Sequence, residues 1–270
     1  MTRFGSDDAA CPGPCMELFG CSGGDGLPAL RDLSQQAVAH ALARALTYVP
    51  THAPTHALAH APAHAPTGTV KDGASGAMTG DGPWPVAVDG TAGNGHDTLF
   101  LARLVGSRGL VHAFDVQPRA LARTAERLAE AGLEERVVLH GRGHEELAGA
   151  LAAPLTESLS VSTDGAACPP RITAAMFNLG FLPGSDRSVT TRSETTLTAL
   201  EALLPLMVPG GVISLHVYAG HPGGADEAAA LEERFATLDW NCWRVARYEF
   251  ANKPRNPERL LLLLRLPGPV

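Results

Sequence analysis

Two kinds of apolar block alternate along most of this chain. Short, nearly continuous apolar runs predict strands buried on both faces over Pro85–Asp89 (PVAVD), Gly109–Asp115 (GLVHAFD), Arg136–Leu139, Ile172–Phe177 and Gly211–Tyr218. Longer stretches rich in helix formers predict helices over His96–Val105, Pro118–Ala131, His144–Ala152, Thr190–Met207 and Ala225–Leu238. Pro118 suits a first helical turn, and Gly132 a helix end. Trp243–Phe250 and Arg259–Leu266 predict two last strands. Their pairing is antiparallel, because the link between them has no room for a crossover helix. Upstream, Leu33, Val38, Leu42 and Leu46 recur at roughly helical spacing and predict a helix over Leu33–Tyr48, with Asp32 or Ser34 as its cap. Strands alternating with helices in this way predict an α/β domain: a mostly parallel sheet with helices on both faces. Ligands of such sheets bind beyond the carboxyl ends of the strands, where strand order reverses.

Composition divides the 270 residues further. Residues 1–30 form a flexible tail rich in Cys, Gly and Pro, and 31–49 a helix expected to pack on the core. Residues 50–83 are a low-complexity linker or insertion, and 84–270 the folded domain. Within the linker, His52, His56, His60 and His64 recur every fourth residue, as a helical metal site would require. Pro54, Pro62 and Pro66 interrupt that helix, so an extended linker is expected. The early cysteines Cys11, Cys15 and Cys21 match neither a paired zinc spacing nor an iron–sulfur one, and no metal is expected. No apolar run reaches membrane-spanning length, and no basic segment followed by an apolar one opens the chain. The cytoplasm is the expected compartment, with a plastid or mitochondrion as the alternative. The net charge of −7 argues against a uniformly basic coat, so a nucleic-acid partner requires a local patch. Asn241–Arg265 supplies one, with Arg244, Arg247, Lys253, Arg255, Arg259 and Arg265 against Glu249 and Glu258.

The chemistry concentrates at the expected strand ends. The first strand runs into VDGTAGNGHDT, Val88–Thr98, a glycine-rich turn followed by a helix. A phosphate loop would need Gly-Lys-Ser/Thr after its glycines, and a dinucleotide loop would need GxGxxG; this segment has neither. Asp89 would repel a pyrophosphate but suits the cationic amino group of a methionine moiety. Asp115, at the end of the second strand, is placed to accept both ribose hydroxyls of an adenosine, with helix capping as the alternative. Together these point to S-adenosylmethionine (SAM). The candidate cofactor residues are Asp89, Thr91, Gly93, Asn94, Gly95, His96, Asp97, Thr98, Asp115 and Gln117, then Gly141 and His144 after the third strand, and Asn178 after the fourth. Methyl transfer from a sulfonium needs mainly an aligned, neutral, desolvated nucleophile. The side-chain carbonyl of Asn178 can accept a hydrogen bond from an amine and steer its lone pair. Phe181 can stack on a base, and Asp186 can receive a proton. Arg187 can meet a phosphate, and Thr191 substrate, although capping would equally explain residues of these types. Tyr218, as a catalytic candidate, clusters with His216 and His221 at the fifth strand end, where ordinary packing is the competing reading. In the last hairpin Asn252, Lys253, Arg255 and Asn256 are candidates for phosphate and base contacts.

Five separated segments, in order, resemble one methyltransferase family: DGTAGNGHDTLFLA, FDVQ, MFNLGFLPGSDRSVTT, VYAGHPGG and FANKPRNP. It is a family long labelled rRNA methylases and similar to the bacterial enzymes that methylate 5-aminomethyl-2-thiouridine in tRNA. The resemblance spans residues 84–266. The family loop usually reads TMGNGHDT, so Ala92 is a mild departure; His140 and Gly141 depart too. The resemblance implies a Rossmann-like class I methyltransferase with a seven-stranded sheet, mostly parallel with an antiparallel final strand. It also implies SAM as cofactor, N-methylation of an aminomethyl group on a wobble uridine, the tRNA anticodon loop as partner, and a homodimer. The other readings are a methyltransferase acting on rRNA or a small amine, and a non-enzymatic RNA-binding protein that keeps the fold. Retention of both Asp89 and Asp115 favours an enzyme.

Overall fold

The computed structural model describes residues 29–47, 85–152, 171–182, 184, 186, 188–252 and 258–267. The Cys-rich tail and the His/Pro tract lie outside these residues. Strand β1 (Val86–Asp89) sits mid-sheet and is buried along its whole length. Helix α2 (His96–Leu104) leads to β2 (Leu110–Phe114), and α3 (Pro118–Ala131) to β3 (Val137–His140). A 3-10 turn, Glu134–Arg136, precedes β3. A second one, His144–Glu146, runs into the short helix α4 (Leu147–Ala152). The chain then returns to the other side of β1 as β4 (Ile172–Leu179). Next come α5 (Ser193–Leu203), β5 (Met207–Tyr218), α6 (Gly224–Ala236), β6 (Trp243–Glu249) and β7 (Glu258–Arg265).

The strand order is β3-β2-β1-β4-β5-β7-β6. Strands β1 to β5 pair in parallel, and β7 is antiparallel to both β5 and β6. The order reverses between β1 and β4, which puts the switch point, and the site, at their carboxyl ends.

Alternation along the strands feeds two cores. Ala87, Val111, Ala174, Met176 and Val212 face a layer with Leu101 and Ala102 of α2 and Leu128 of α3. Val86, Val88, Ile172, Ala175, Phe177, Ile213 and Leu215 face the opposite layer, with α4, α5 and α6. Helix α1 (Leu30–Thr47) joins the first layer through Val38, Ala41 and Leu42, all buried. It also joins the hydroxyls of Ser34 and Ser214, which lie 2.6 Å apart.

The helix expected over Thr190–Met207 is shorter at both ends. Thr190 bridges Phe181, and the amide of Thr191 donates to Gly180 O at 3.1 Å, so this stretch folds back on the loop after β4. At the far end Pro205 sits in a 3-10 turn, Leu204–Leu206, that closes the helix. Strand β5 therefore starts at Met207, earlier than Gly211. It shifts register against β4 between Ile172 and Ala174, where Gly210 takes a φ of 82°.

Candidate active site

The loop after β1 is clamped from behind. A Cβ on Gly90 would overlap the Phe177 ring at 2.1 Å, and one on Gly95 (φ 76°) would meet Thr124 Cα of α3 at 2.8 Å. Asn94 is tied to α3 as well: Arg123 donates to its Oδ1 at 2.9 Å and Arg127 to its carbonyl at 2.8 Å. Asp89 is wholly buried beneath this loop. Its two oxygens accept the Thr91 amide (3.1 Å) and the Thr98 hydroxyl (2.6 Å). Burial, then the nearby Asp97 charge, push its carboxyl up to about 7. The expected contact of Asp89 with a methionine ammonium is thus corrected. It is covered by the loop it holds and does not line the cavity, and neither do Gly95 and Thr98. From the same loop and helix, Asp97, in the first turn of α2, does reach the cavity.

Asp115 follows β2. It accepts the Gly93 amide at 2.9 Å and the Gln117 amide at 2.8 Å, so it ties the loop after β1 to the turn that leads into α3. Val116 and Gln117 line the cavity beside it. After β3, Gly143 and His144 line the cavity, whereas Gly141 does not. His140 turns away: it stacks on Phe114, with centroids 4.4 Å apart, and pairs with His112 at 3.0 Å. His144 is buried, with Nδ1 3.0 Å from Gly90 O and Nε2 3.4 Å from Thr196 Oγ1. Burial lowers its pKa, which favours the neutral ring, and a carbonyl can only accept, so Nδ1 carries the proton and pins Gly90.

Asn178 closes the site from β4. Its amide nitrogen donates to Asp97 Oδ2 at 2.7 Å, and its backbone N–H to Thr91 Oγ1 at 2.7 Å. Phe181, Thr191 and His221 line the cavity together with Tyr218. Phe181 meets the His221 ring edge-on at 6.3 Å. Tyr218, at the end of β5, lies 3.1 Å from His216 Nδ1 and stacks on that ring at 4.3 Å. His216 lies behind it, off the cavity wall, with Nε2 3.2 Å from Glu258 Oε2. Burial, then the Glu258 and Asp97 charges, push the Tyr218 phenol up to about 12.

Asp186 and the last hairpin lie differently from the residues around the cavity. Asp186 is exposed, accepts the Ser188 amide at 2.8 Å, and is held below the usual carboxylate range by that bond. A carboxylate so stabilised is a poor proton acceptor, and it does not line the cavity. Two basic residues of the patch pair with an acidic residue outside the segment, Glu232 of α6. Arg247 and Arg259 reach it at 3.1 and 2.8 Å, and both also contact Glu249. Arg244 lies over the Trp240 ring and Arg265 over Trp243. Asn252 is exposed and off the cavity wall. Arg187, Lys253, Arg255 and Asn256 lie outside the described residues.

Sequence reasoning missed Arg31 and Gln35 of α1. Gln35 donates to Asp97 Oδ1 at 2.9 Å, and Arg31 approaches the same oxygen at 3.7 Å. It also missed Glu227, buried in α6, which accepts the Thr191 and Thr196 hydroxyls at 2.8 and 2.7 Å. No local motif marks any of these three; a polar residue on an otherwise core-facing stripe was the only signal.

The cavity measures about 990 Å³ and runs from Asp115 across Gly90–Asn94 to Asp97, Asn178 and Tyr218. Its features fit an adenosyl cofactor: a strand-end carboxylate for a ribose, a loop whose glycines leave room against it, and a partly apolar wall at Phe114 and Val116. A glycine loop at the switch point of this sheet defines a Rossmann-like class I methyltransferase fold. The chain belongs to the family described as "Putative rRNA methylase", whose sequence model matches residues 111–264. It is similar to the chloroplastic tRNA (mnm(5)s(2)U34)-methyltransferase of Arabidopsis thaliana, 34% identical over 186 residues. That match takes in 66% of this chain but 62% of the relative, so the chain spans less than two thirds of that protein. A crystal structure titled as an rRNA-methylase of the same provisional kind, from Clostridium thermocellum, is 34% identical with a TM-score of 0.59, covering 68% of this chain and 90% of that one. A Streptococcus mutans structure titled as a methyltransferase in complex with SAH (S-adenosylhomocysteine) is 33% identical with a TM-score of 0.56, again covering 68% and 90%. Among the described residues, no helix is long and apolar enough to cross a membrane.

Proposed function

We propose that this protein methylates tRNA, transferring the methyl group of SAM to the nitrogen of a 5-aminomethyl group on a wobble uridine. The observation that carries the reaction type is the anchored amide of Asn178. Asp97 takes its nitrogen, so the carbonyl oxygen is the atom left to accept an amine N–H and hold the lone pair in line. The substrate rests on the name of the Arabidopsis relative.

Asp115 and Gln117 would hold the adenosine, and Gly90–Gly93 would follow the cofactor backbone. When bound, SAM supplies an electrophilic methyl on a sulfonium that leaves as a neutral thioether. The remaining work is proton management at Tyr218. A carboxylate accepts only, so His216 Nε2 donates to Glu258 and the Tyr218 hydroxyl donates to His216 Nδ1. An aminomethyl group arrives as ammonium. Its proton passes to Tyr218 Oη while the hydroxyl proton passes to His216 Nδ1, and Glu258 stabilises the imidazolium. The neutral amine that remains is the nucleophile. Phe181 and His221 form the wall against which a flipped-out base packs.

We also propose the anticodon loop as the binding region, since unstacked bases reach such a cavity more easily than a duplex does. A homodimer is proposed through the outer sheet edge, where β6 exposes Val245 and Tyr248. The cytoplasm is the proposed compartment; the relative's chloroplast label makes a plastid the alternative.

Tritiated-methyl transfer to tRNA carrying unmethylated 5-aminomethyl-2-thiouridine, followed by nucleoside mass spectrometry, tests the reading. Formation of the methylaminomethyl nucleoside is expected. Label in rRNA alone, or none in that nucleoside, would overturn it.

A further inference from the structure

Arg31 belongs to α1, far in sequence from the loop after β1, yet it lines the same cavity. Its guanidinium makes no hydrogen bond among the described residues, and its one ion pair is with Asp97 Oδ1 at 3.7 Å. Asp97 itself is buried and locked: Gln35 holds Oδ1, and Asn178 holds Oδ2. A fixed carboxylate and a cation with free donors thus stand side by side on one wall. That is the charge pattern complementary to an amino-acid zwitterion, whose ammonium and carboxylate are also neighbours.

Topology says which end of a ligand lies there. Asp115 follows β2, on one side of β1, while Asp97 contacts the end of β4, on the other. A ligand with its ribose at Asp115 must cross the Gly90–Gly93 loop before reaching Asp97 and Arg31. Arg192 also lines the cavity, but it precedes α5, which packs on the opposite face of the sheet from α1 and α2.

We infer that Arg31 binds the α-carboxylate, and Asp97 the α-ammonium, of the amino-acid tail of the cofactor, so that α1 completes the cofactor site. This rests on the SAM reading above. Asp97, on the cavity wall, is then the partner of the ammonium in place of the covered Asp89, and Arg31 is a cation that no motif marks. Helix α1 is positioned for the task by Val38, Ala41 and Leu42 in the core and by Ser34 against Ser214 of β5.

The test is calorimetric binding of two ligands to the full chain. One is S-adenosylhomocysteine. The other is 5′-methylthioadenosine, which keeps the nucleoside and the sulfur but lacks the amino-acid tail. Arg31→Ala should weaken S-adenosylhomocysteine about tenfold, the loss of one charge-assisted contact at a partly exposed site, and leave 5′-methylthioadenosine unchanged. Arg31→Lys should recover part of the loss. Retained 5′-methylthioadenosine binding also shows that the variant is folded. Equal losses for both ligands, or no loss for either, overturn the assignment of Arg31. Failure of the unaltered protein to bind S-adenosylhomocysteine at all overturns the SAM reading itself.

Discussion

Replacing Gly95 by alanine is expected to cost much more than the same change at Gly132, although both have positive φ, 76° and 64°. Alanine in that region costs about 1–2 kcal/mol in strain, offset by about 0.4–1 kcal/mol because the unfolded chain loses freedom. At Gly132 nothing lies within 4 Å of the added carbon, so the net cost is about 0–1.6 kcal/mol. At Gly95 the new carbon would sit 2.8 Å from Thr124 Cα and 2.9 Å from its Oγ1. The Cα cannot rotate aside, so either α3 or the loop must move. Overpacking of this kind adds about 1–3 kcal/mol, for a total of roughly 1–5 kcal/mol. Urea unfolding of the two variants, compared at equal slope, measures the difference. The Gly95 variant should also bind S-adenosylhomocysteine more weakly, because a shifted loop carries away Gly93, whose amide holds Asp115. Equal midpoint shifts in the two variants would refute the close packing of the loop on α3.

Asn178→Ala should lower kcat/KM on tRNA roughly 10- to 100-fold, as one oriented hydrogen bond is lost, and stopped-time label transfer reads this directly. Tyr218→Phe should lower kcat about a hundredfold with KM little changed, measured at saturating tRNA; an unchanged kcat would remove Tyr218 from the proton path. Asp89 binds a proton more tightly folded than unfolded, since its carboxyl is pushed up to about 7. Its contribution to stability is therefore full below about pH 4 and is lost as pH rises through about 7. Asp89→Asn should flatten that part of the stability profile in urea unfolding from pH 4 to 8. Glu227→Leu removes the acceptor of the Thr191 and Thr196 hydroxyls, leaving Thr196 only the 3.4 Å contact with His144 Nε2, and should cost roughly 1–3 kcal/mol; thermal unfolding checks this.

Periodicity made the order of strands and helices legible, and with it the switch point where the site lies. The glycines after β1 were legible too, and so was the place of Asp115 at a strand end on the cavity wall; its bonds to the Gly93 and Gln117 amides were not. Element ends were less so. The helix expected over Thr190–Met207 loses its first residues to a bridge with Phe181, a contact between residues apart in sequence that no local pattern records. The ion pairs of Arg247 and Arg259 were illegible for the same reason: their partner Glu232 sits in another element.

What the sequence by itself determined is the class of chemistry. An Asp-Gly-rich turn without a lysine excludes a phosphate loop, and a second strand-end carboxylate selects an adenosine. Which of the loop's two carboxylates, Asp89 or Asp97, lines the cavity was decided only by tertiary structure. Asp89 and Asp97 are equally acidic in a sequence, but the loop folds over the first and leaves the second on the wall beside Asn178 and Arg31. Burial and partners depend on chain crossings between α1, α2 and β4, and those crossings are fixed by how the two cores pack on the sheet.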